Sequence, residues 1–152
     1  MRTSASARFP RHSHRSASRR SAASNAAESD KLASSVDLVP TVLKAVGAKP
    51  AKGLDGVDLL DPHWVATRDA VFGAIFEHNA VDIAKPAANL QYRWVIEGDW
   101  KLILPHAANV KGGKPELYNL AKDPREAANL AGANADKAKA LAKRMDAWWN
   151  PE

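Results

Sequence analysis

Residues 91–104, QYRWVIEGDWKLIL, hold two alternating apolar runs on either side of Glu97-Gly98-Asp99. Period-two alternation lays apolar side chains on one side of a strand, and a glycine between polar residues supplies the positive φ of a tight turn. Tyr92, Trp94 and Ile96 alternate on one face before the turn, and Trp100, Leu102 and Leu104 alternate after it. The segment predicts a β-hairpin, with Glu97 and Asp99 as turn residues rather than paired catalytic carboxylates. A lone hairpin is at best marginal in water, so neighbouring segments must complete a sheet. AVFGAIF at 70–76 predicts a strand in which Gly73 marks a bulge or a close backbone approach, and ELYNL at 116–120 predicts a short one.

The helices are read from period and caps. In VDLVPTVLKAV, residues 36–46, Val36, Val39, Val42, Leu43 and Val46 recur at helical spacing. Asp37 reads as its N-cap, Pro40 falls in the first turn, and Gly47 is the expected left-handed stop. Residues 48–69 read as a long irregular connection, with a one-turn helix starting near Asp61-Pro62. Such length is unusual in a compact free-standing domain and suggests a segment that wraps a larger body. Asp123-Pro124-Arg125-Glu126 reads as a capping box opening one helical turn. Asn134 caps a last helix at about 135–149, with Ala138, Leu141, Met145, Trp148 and Trp149 on one face and a mostly basic, solvated face opposite. The order helix, long loop, strand, hairpin, strand, helix predicts an α+β body within the α/β class: a small antiparallel sheet with a helix across one face.

Charge is concentrated at the start of the chain. Residues 1–20 hold six arginines and no acid, whereas the whole 152-residue chain has a formal charge of +5, so the rest is near neutral. Residues 1–30 read as a low-complexity, basic, disordered tail without the apolar h-region of a secretory signal. His12 and His14 in that tail lack the partners of a metal site. A near-neutral body argues against a nucleic-acid partner. No apolar run is long enough to span a membrane. The chain has no cysteine, which excludes thiolate nucleophiles, cysteine–zinc sites and disulfides.

Glu77-His78-Asn79, followed by Asp82, is the polar cluster most suited to a site, because it stands where a strand ends. His78 could serve as a base or grip an anion. His106, in the loop after Leu104, is a weaker candidate for anion contact. No serine in a nucleophile elbow, no phosphate loop and no metal-ligand spacing accompanies them. The chain by itself is therefore expected to carry no assembled catalytic constellation.

Four stretches carry a family resemblance: SSVDLVPTVLKAVGA with GLDGVDLL, RDAVFGAIFEHNAVD, YRWVIEGDWKLIL, and ELYNLAKDPREAANLA before the last helix. In that order they resemble the C-terminal region of the sulfatases, the arylsulfatase-like, formylglycine-dependent sulfuric ester hydrolases. The resemblance runs from Asp30 to the C-terminus; Asp58 stands where the family usually has serine. It implies the C-terminal sheet-and-helix subdomain of an alkaline-phosphatase-like fold at 70–152, with the helix at 36–46 drawn from the edge of the catalytic domain. In a full-length relative it implies a formylglycine nucleophile from a C/S-x-P-x-R motif, and a calcium ion and cationic side chains that neutralise charge on a transferring sulfuryl group. This chain has neither that motif nor the metal residues, which lie upstream of the matched region in the family.

What the resemblance implies here is scaffold and one wall of a substrate pocket, formed by His78 and, less directly, Glu77, Asn79 and His106. The implied partners are an N-terminal catalytic part and, for the whole enzyme, a sulfated carbohydrate or aryl sulfate. The alternative is an independent interaction module that binds a sulfated glycan or a partner enzyme. Full-length relatives are often periplasmic or secreted, and the localisation of this chain stays open. Arg/Ser/Ala text stands at Arg8–Asn25 where the family has a strand and loop, as a truncated, frameshifted or split gene would produce.

Overall fold

Period-two patterning becomes a four-stranded antiparallel sheet in the order β1-β2-β3-β4, so every strand pairs with its sequence neighbour. The strands are β1 (Ala70–Phe76), β2 (Leu90–Glu97), β3 (Trp100–Pro105) and β4 (Glu116–Asn119). The helices are α1 (Leu38–Ala45), α2 (Pro62–Thr67) and α3 (Ala135–Trp148). The computed structural model describes residues 31–79 and 82–151, so the expected tail at 1–30 lies outside the described residues. The small antiparallel sheet with a helix across one face is as the patterning predicts.

Glu97 pairs with Trp100 across a two-residue turn in which Gly98 has φ 53. Opposed residues share a face, so Trp94 falls beside Ile103, and Val95 beside Leu102. The two alternating sets of the hairpin therefore lie on opposite faces. One face carries Ala70, Val95, Leu102 and Leu117, which pack against Leu141 and Met145 of α3 as the buried core. Trp148 stacks on Phe72 with ring centroids 5.3 Å apart. Charged pairs rim this contact. Glu97 takes Lys137 at 3.0 Å and Arg144 at 2.6 Å, and Arg93 meets Asp146 at 2.9 Å. The polar side of α3 is thus partly spent on the sheet rather than wholly solvated. On the other face, Gly73 lies under the Trp94 indole, where an added Cβ would come within 2.3 Å of Cζ2. The close approach expected at Gly73 is made by a side chain, and the bulge falls later, at Ile75/Phe76.

Two expected caps resolve differently. A 3₁₀ turn, Ser35–Asp37, precedes α1, and Asp37 occupies the expected N-cap position, but its carboxylate makes no capping bond to the helix. It is fully buried and accepts from both Arg68 guanidinium nitrogens, from the Val57 N–H at 2.9 Å and from the Ser34 N–H at 2.7 Å. Thr41 extends the clasp: its hydroxyl donates to the Asp37 carbonyl at 2.6 Å and accepts from the Leu59 N–H at 2.9 Å. A buried carboxylate needs this many partners, which is why Asp37 turns inward. The capping box at 123–126 does not form a helix. Asp123 accepts from the Ala128 N–H at 2.9 Å, whereas Glu126, at φ 54, is held by Lys101 at 2.7 and 2.9 Å. Asn134 occupies the N-cap of α3 without a side-chain cap bond.

The stripe on α1 is present but uncovered. Val39 and Val42 are more than half exposed and Val46 is 72% exposed, while Pro40 is the buried residue of the helix.

Removing one partner of the Asp37–Arg68 pair leaves a buried charge, so Arg68→Ala should destabilise the layer of residues 34–68 by about 3–5 kcal/mol, read by urea titration with amide exchange. Burial pushes the Asp37 carboxyl up, but the bonds from Arg68, Val57 and Ser34 together hold it below 3.8. A depressed carboxylate stabilises fully above its unfolded value, so this contribution should persist at neutral pH and fade as pH falls below 3.8. At the sheet, Gly73→Ala should cost about 1–3 kcal/mol by overpacking. Combining it with Trp94→Leu should recover part of that loss, and strict additivity in the thermal melts would refute the contact.

Candidate functional site

β1 and β3 end, and β2 begins, at the same end of the sheet, and this brings Glu77 and His106 to one end, with His78 and Asn79 following Glu77 in the chain. Glu77 follows β1, and its backbone N–H donates to the Asn89 carbonyl at 2.7 Å. His106 follows β3, and its N–H donates to the Gln91 carbonyl at 2.7 Å. Gln91 links them, because its side-chain amide also donates to the Glu77 carboxylate. Gln91 is a residue that sequence reasoning missed. It reads only as an ordinary strand-starting polar residue until the register sets it between Glu77 and His106.

Asn109 was likewise unforeseen. Its side chain donates to the carbonyls of Ala87, Ala88 and Leu90 at 3.0, 3.3 and 2.7 Å, pinning the 3₁₀ turn Pro86–Asn89 that leads into β2. The His106 carbonyl accepts from the Asn109 and Val110 N–H groups at 3.0 and 2.9 Å. His78 and Asn79 lie in the bend after β1, exposed to solvent. The Asp82 carboxylate accepts from the Ala84 N–H at 2.9 Å and approaches Lys85 at 4.0 Å, so it serves its own turn.

Chemically, this end offers a carboxylate, two imidazoles and two carboxamides around a fixed strand terminus. That set can exchange hydrogen bonds with a hydroxyl-rich or anionic molecule. Several structural pairs have shifted titrations. The hydrogen bond from Arg144 lowers Asp69, those from Lys137 and Arg144 lower Glu97, and the bond to Glu116 pushes the Tyr118 phenol up to about 12. A separate, more apolar cleft of about 750 Å³ runs beside β1, lined by Val36, Phe72, Trp94 and Trp148 among others, and none of the four candidate residues lines it.

Among the described residues no group of three or more His, Asp or Glu side chains could hold a metal ion. The sequence has no cysteine and no Ser-x-Pro-x-Arg motif, so it does not fit a formylglycine centre, and the described residues do not fit a calcium centre.

No family model and no curated protein matches the sequence. Solved structures do match. BT4656, in complex with its substrate D-glucosamine-2-N,6-O-disulfate, superposes with a TM-score of 0.55 at 21% identity, over 76% of this chain and 23% of that one. The phosphonate monoester hydrolase of Agrobacterium radiobacter gives 0.53 at 27% identity, over 79% and 25%. A Bacteroides thetaiotaomicron protein labelled BT33494S-sulf, from a locus for glycosaminoglycan metabolism, gives 0.57 at 18% identity, over 74% and 26%.

Substituting the exposed His78 or Asn79 by alanine should move stability by no more than about 0.5 kcal/mol. Asn109→Ala, which strands carbonyls at the entry to β2, should cost about 1–3 kcal/mol in the same denaturant titration. Equal effects would show that Asn109 does not hold this end together.

The chain thus spans about a quarter of the length of the structures it matches, and its described body has the architecture of one part of the alkaline-phosphatase-like, sulfatase-type fold.

Proposed function

We propose that the chain is the C-terminal part of a hydrolase of sulfate esters or sulfamates and does not catalyse by itself. Residues 70–152 supply the sheet-and-helix subdomain, and the helix at 36–46 belongs to the edge of the catalytic domain. Glu77, His78, Asn79 and His106 form a wall of the substrate pocket, with Gln91 fixing Glu77 relative to the end of β3. Formylglycine and calcium would belong to the remaining polypeptide, and the substrate of the whole would be a sulfated carbohydrate or an aryl sulfate. The observation that carries this reading is the coverage: three quarters of this chain against one quarter of a much longer fold. The uncovered stripe on α1 supports it, since such a face ordinarily packs on something.

A second reading, an independent module that binds a sulfated glycan or a partner enzyme, draws on the closed core between α3 and the sheet. Two measurements decide between them. Purified chain with calcium should turn over neither an aryl sulfate nor an aryl phosphonate monoester, the latter included because of the 27% identical match. Turnover of either would overturn the proposal. The DNA upstream should encode a C/S-x-P-x-R motif in some frame or adjoining gene. Its absence, together with tight binding of a sulfated oligosaccharide by the chain alone, would favour the module.

A further inference from the structure

The two edges of the sheet are treated differently. Along β4, the outward groups of Leu117 are both taken: its N–H donates to Asn129 Oδ1 at 3.1 Å, and its carbonyl accepts from the Leu130 N–H at 2.8 Å. The next outward carbonyl, of Asn119, accepts from the N–H groups of Lys122 and Asp123. Segment 119–130 therefore closes that edge.

The β1 edge has no such cover. Glu97 and Gln91 bond toward β3, so alternation directs Tyr92, Trp94 and Ile96 toward β1 and their partners Ile75, Gly73 and Val71 inward. The backbone groups of Phe72 and Ala74 then point outward, and among the described residues no segment other than β2 pairs with β1. Exposed edges are ordinarily blunted by charge or proline, yet AVFGAIF has neither. The apolar cleft of about 750 Å³ runs beside the same edge, lined by Phe72, Ala74, Trp94 and Trp148 and, from the preceding layer, by Ser35, Val36 and Arg68.

We infer that the outer edge of β1 receives an additional strand from the polypeptide that supplies the rest of the hydrolase. This inference rests on the function proposed above. Two observations select that occupant. Val36 belongs both to the cleft and to the exposed apolar surface that continues along α1 through Val39 and Val42, so one body covers edge and helix together. A second copy fits less well. Aligning Ala70–Phe76 with itself sets Asp69 opposite Glu77 of the other copy at both ends, an unfavourable like-charge pairing that the Arg144 guanidinium on Asp69 offsets only in part. The recognition is main-chain hydrogen bonding by an extended segment whose apolar side chains fill the cleft.

The test places the full chain in the Agrobacterium radiobacter phosphonate monoester hydrolase, in place of the quarter it matches, and compares amide exchange with that of the free chain. In the free chain the Phe72 and Ala74 amides should exchange fast while Gly73 and Ile75 stay protected. In the graft, Phe72 and Ala74 should slow by about tenfold or more, the factor one backbone hydrogen bond is worth. Ala74→Pro removes an outward N–H and fixes φ, which an edge strand tolerates, so it should lower the melting temperature of the graft by more than that of the free chain. An active graft with fast Phe72 and Ala74 amides and indifference to Ala74→Pro would overturn the added strand but leave the hydrolase reading standing. A graft that does not melt cooperatively would count against both. Slow Phe72 and Ala74 amides in the free chain, with a doubled sedimenting mass, would assign the edge to a second copy and overturn the occupant.

Discussion

Leu141 and Met145 of α3 meet Val95, Leu102 and Leu117 of three adjacent strands, and all five side chains are essentially removed from solvent. At about 1.5–3 kcal/mol for each fully buried aliphatic side chain, this contact is the largest favourable term in the sheet-and-helix body. Its geometry sets much of what surrounds it. Because α3 occupies one face, Arg93 and Glu97 lie under the helix and take its charged residues, while Trp94 is displaced to the other face and requires a glycine at 73.

The layer at residues 34–68 is held by different means. Most of its large apolar side chains are exposed, and its fully buried side chain is a carboxylate. Asp37, Arg68 and Thr41 gather two stretches of chain, Ser34–Thr41 and Val57–Leu59, through directed bonds. A polar clasp of this kind fixes position more than it stabilises, since desolvating the pair offsets much of its attraction. It holds α1 in a defined place with its stripe turned away from the clasp.

How far the fold was legible follows from which signals are local. Strand positions and the hairpin turn follow from alternation and Gly98, and the buried Leu141 and Met145 follow from the helical period of the last segment. The N-cap position of Asp37 was readable, but the role of its carboxylate was not, because its partner Arg68 lies 31 residues away and no local pattern announces it. Glu126 was misread for a similar reason: Lys101, across the sheet, competes successfully with the helix start. At the candidate site, the strand-end position of Glu77 was readable. The link from Gln91 to both Glu77 and His106 depends on register, which period alone does not fix.

The meander order has a consequence for how the molecule forms. Strands pair only with their neighbours in sequence, so loop closure is local and pairing can proceed as the chain emerges from a ribosome. The core behaves otherwise, because the residues that seal it, Leu141 and Met145, are synthesised after all four strands. During that interval the faces of Val95, Leu102 and Leu117 stand open, beside an uncharged β1. Docking of the last helix is therefore the step that takes the Val95, Leu102 and Leu117 face of the nascent sheet out of reach of chaperones and of other nascent chains, while the edge of β1 stays open.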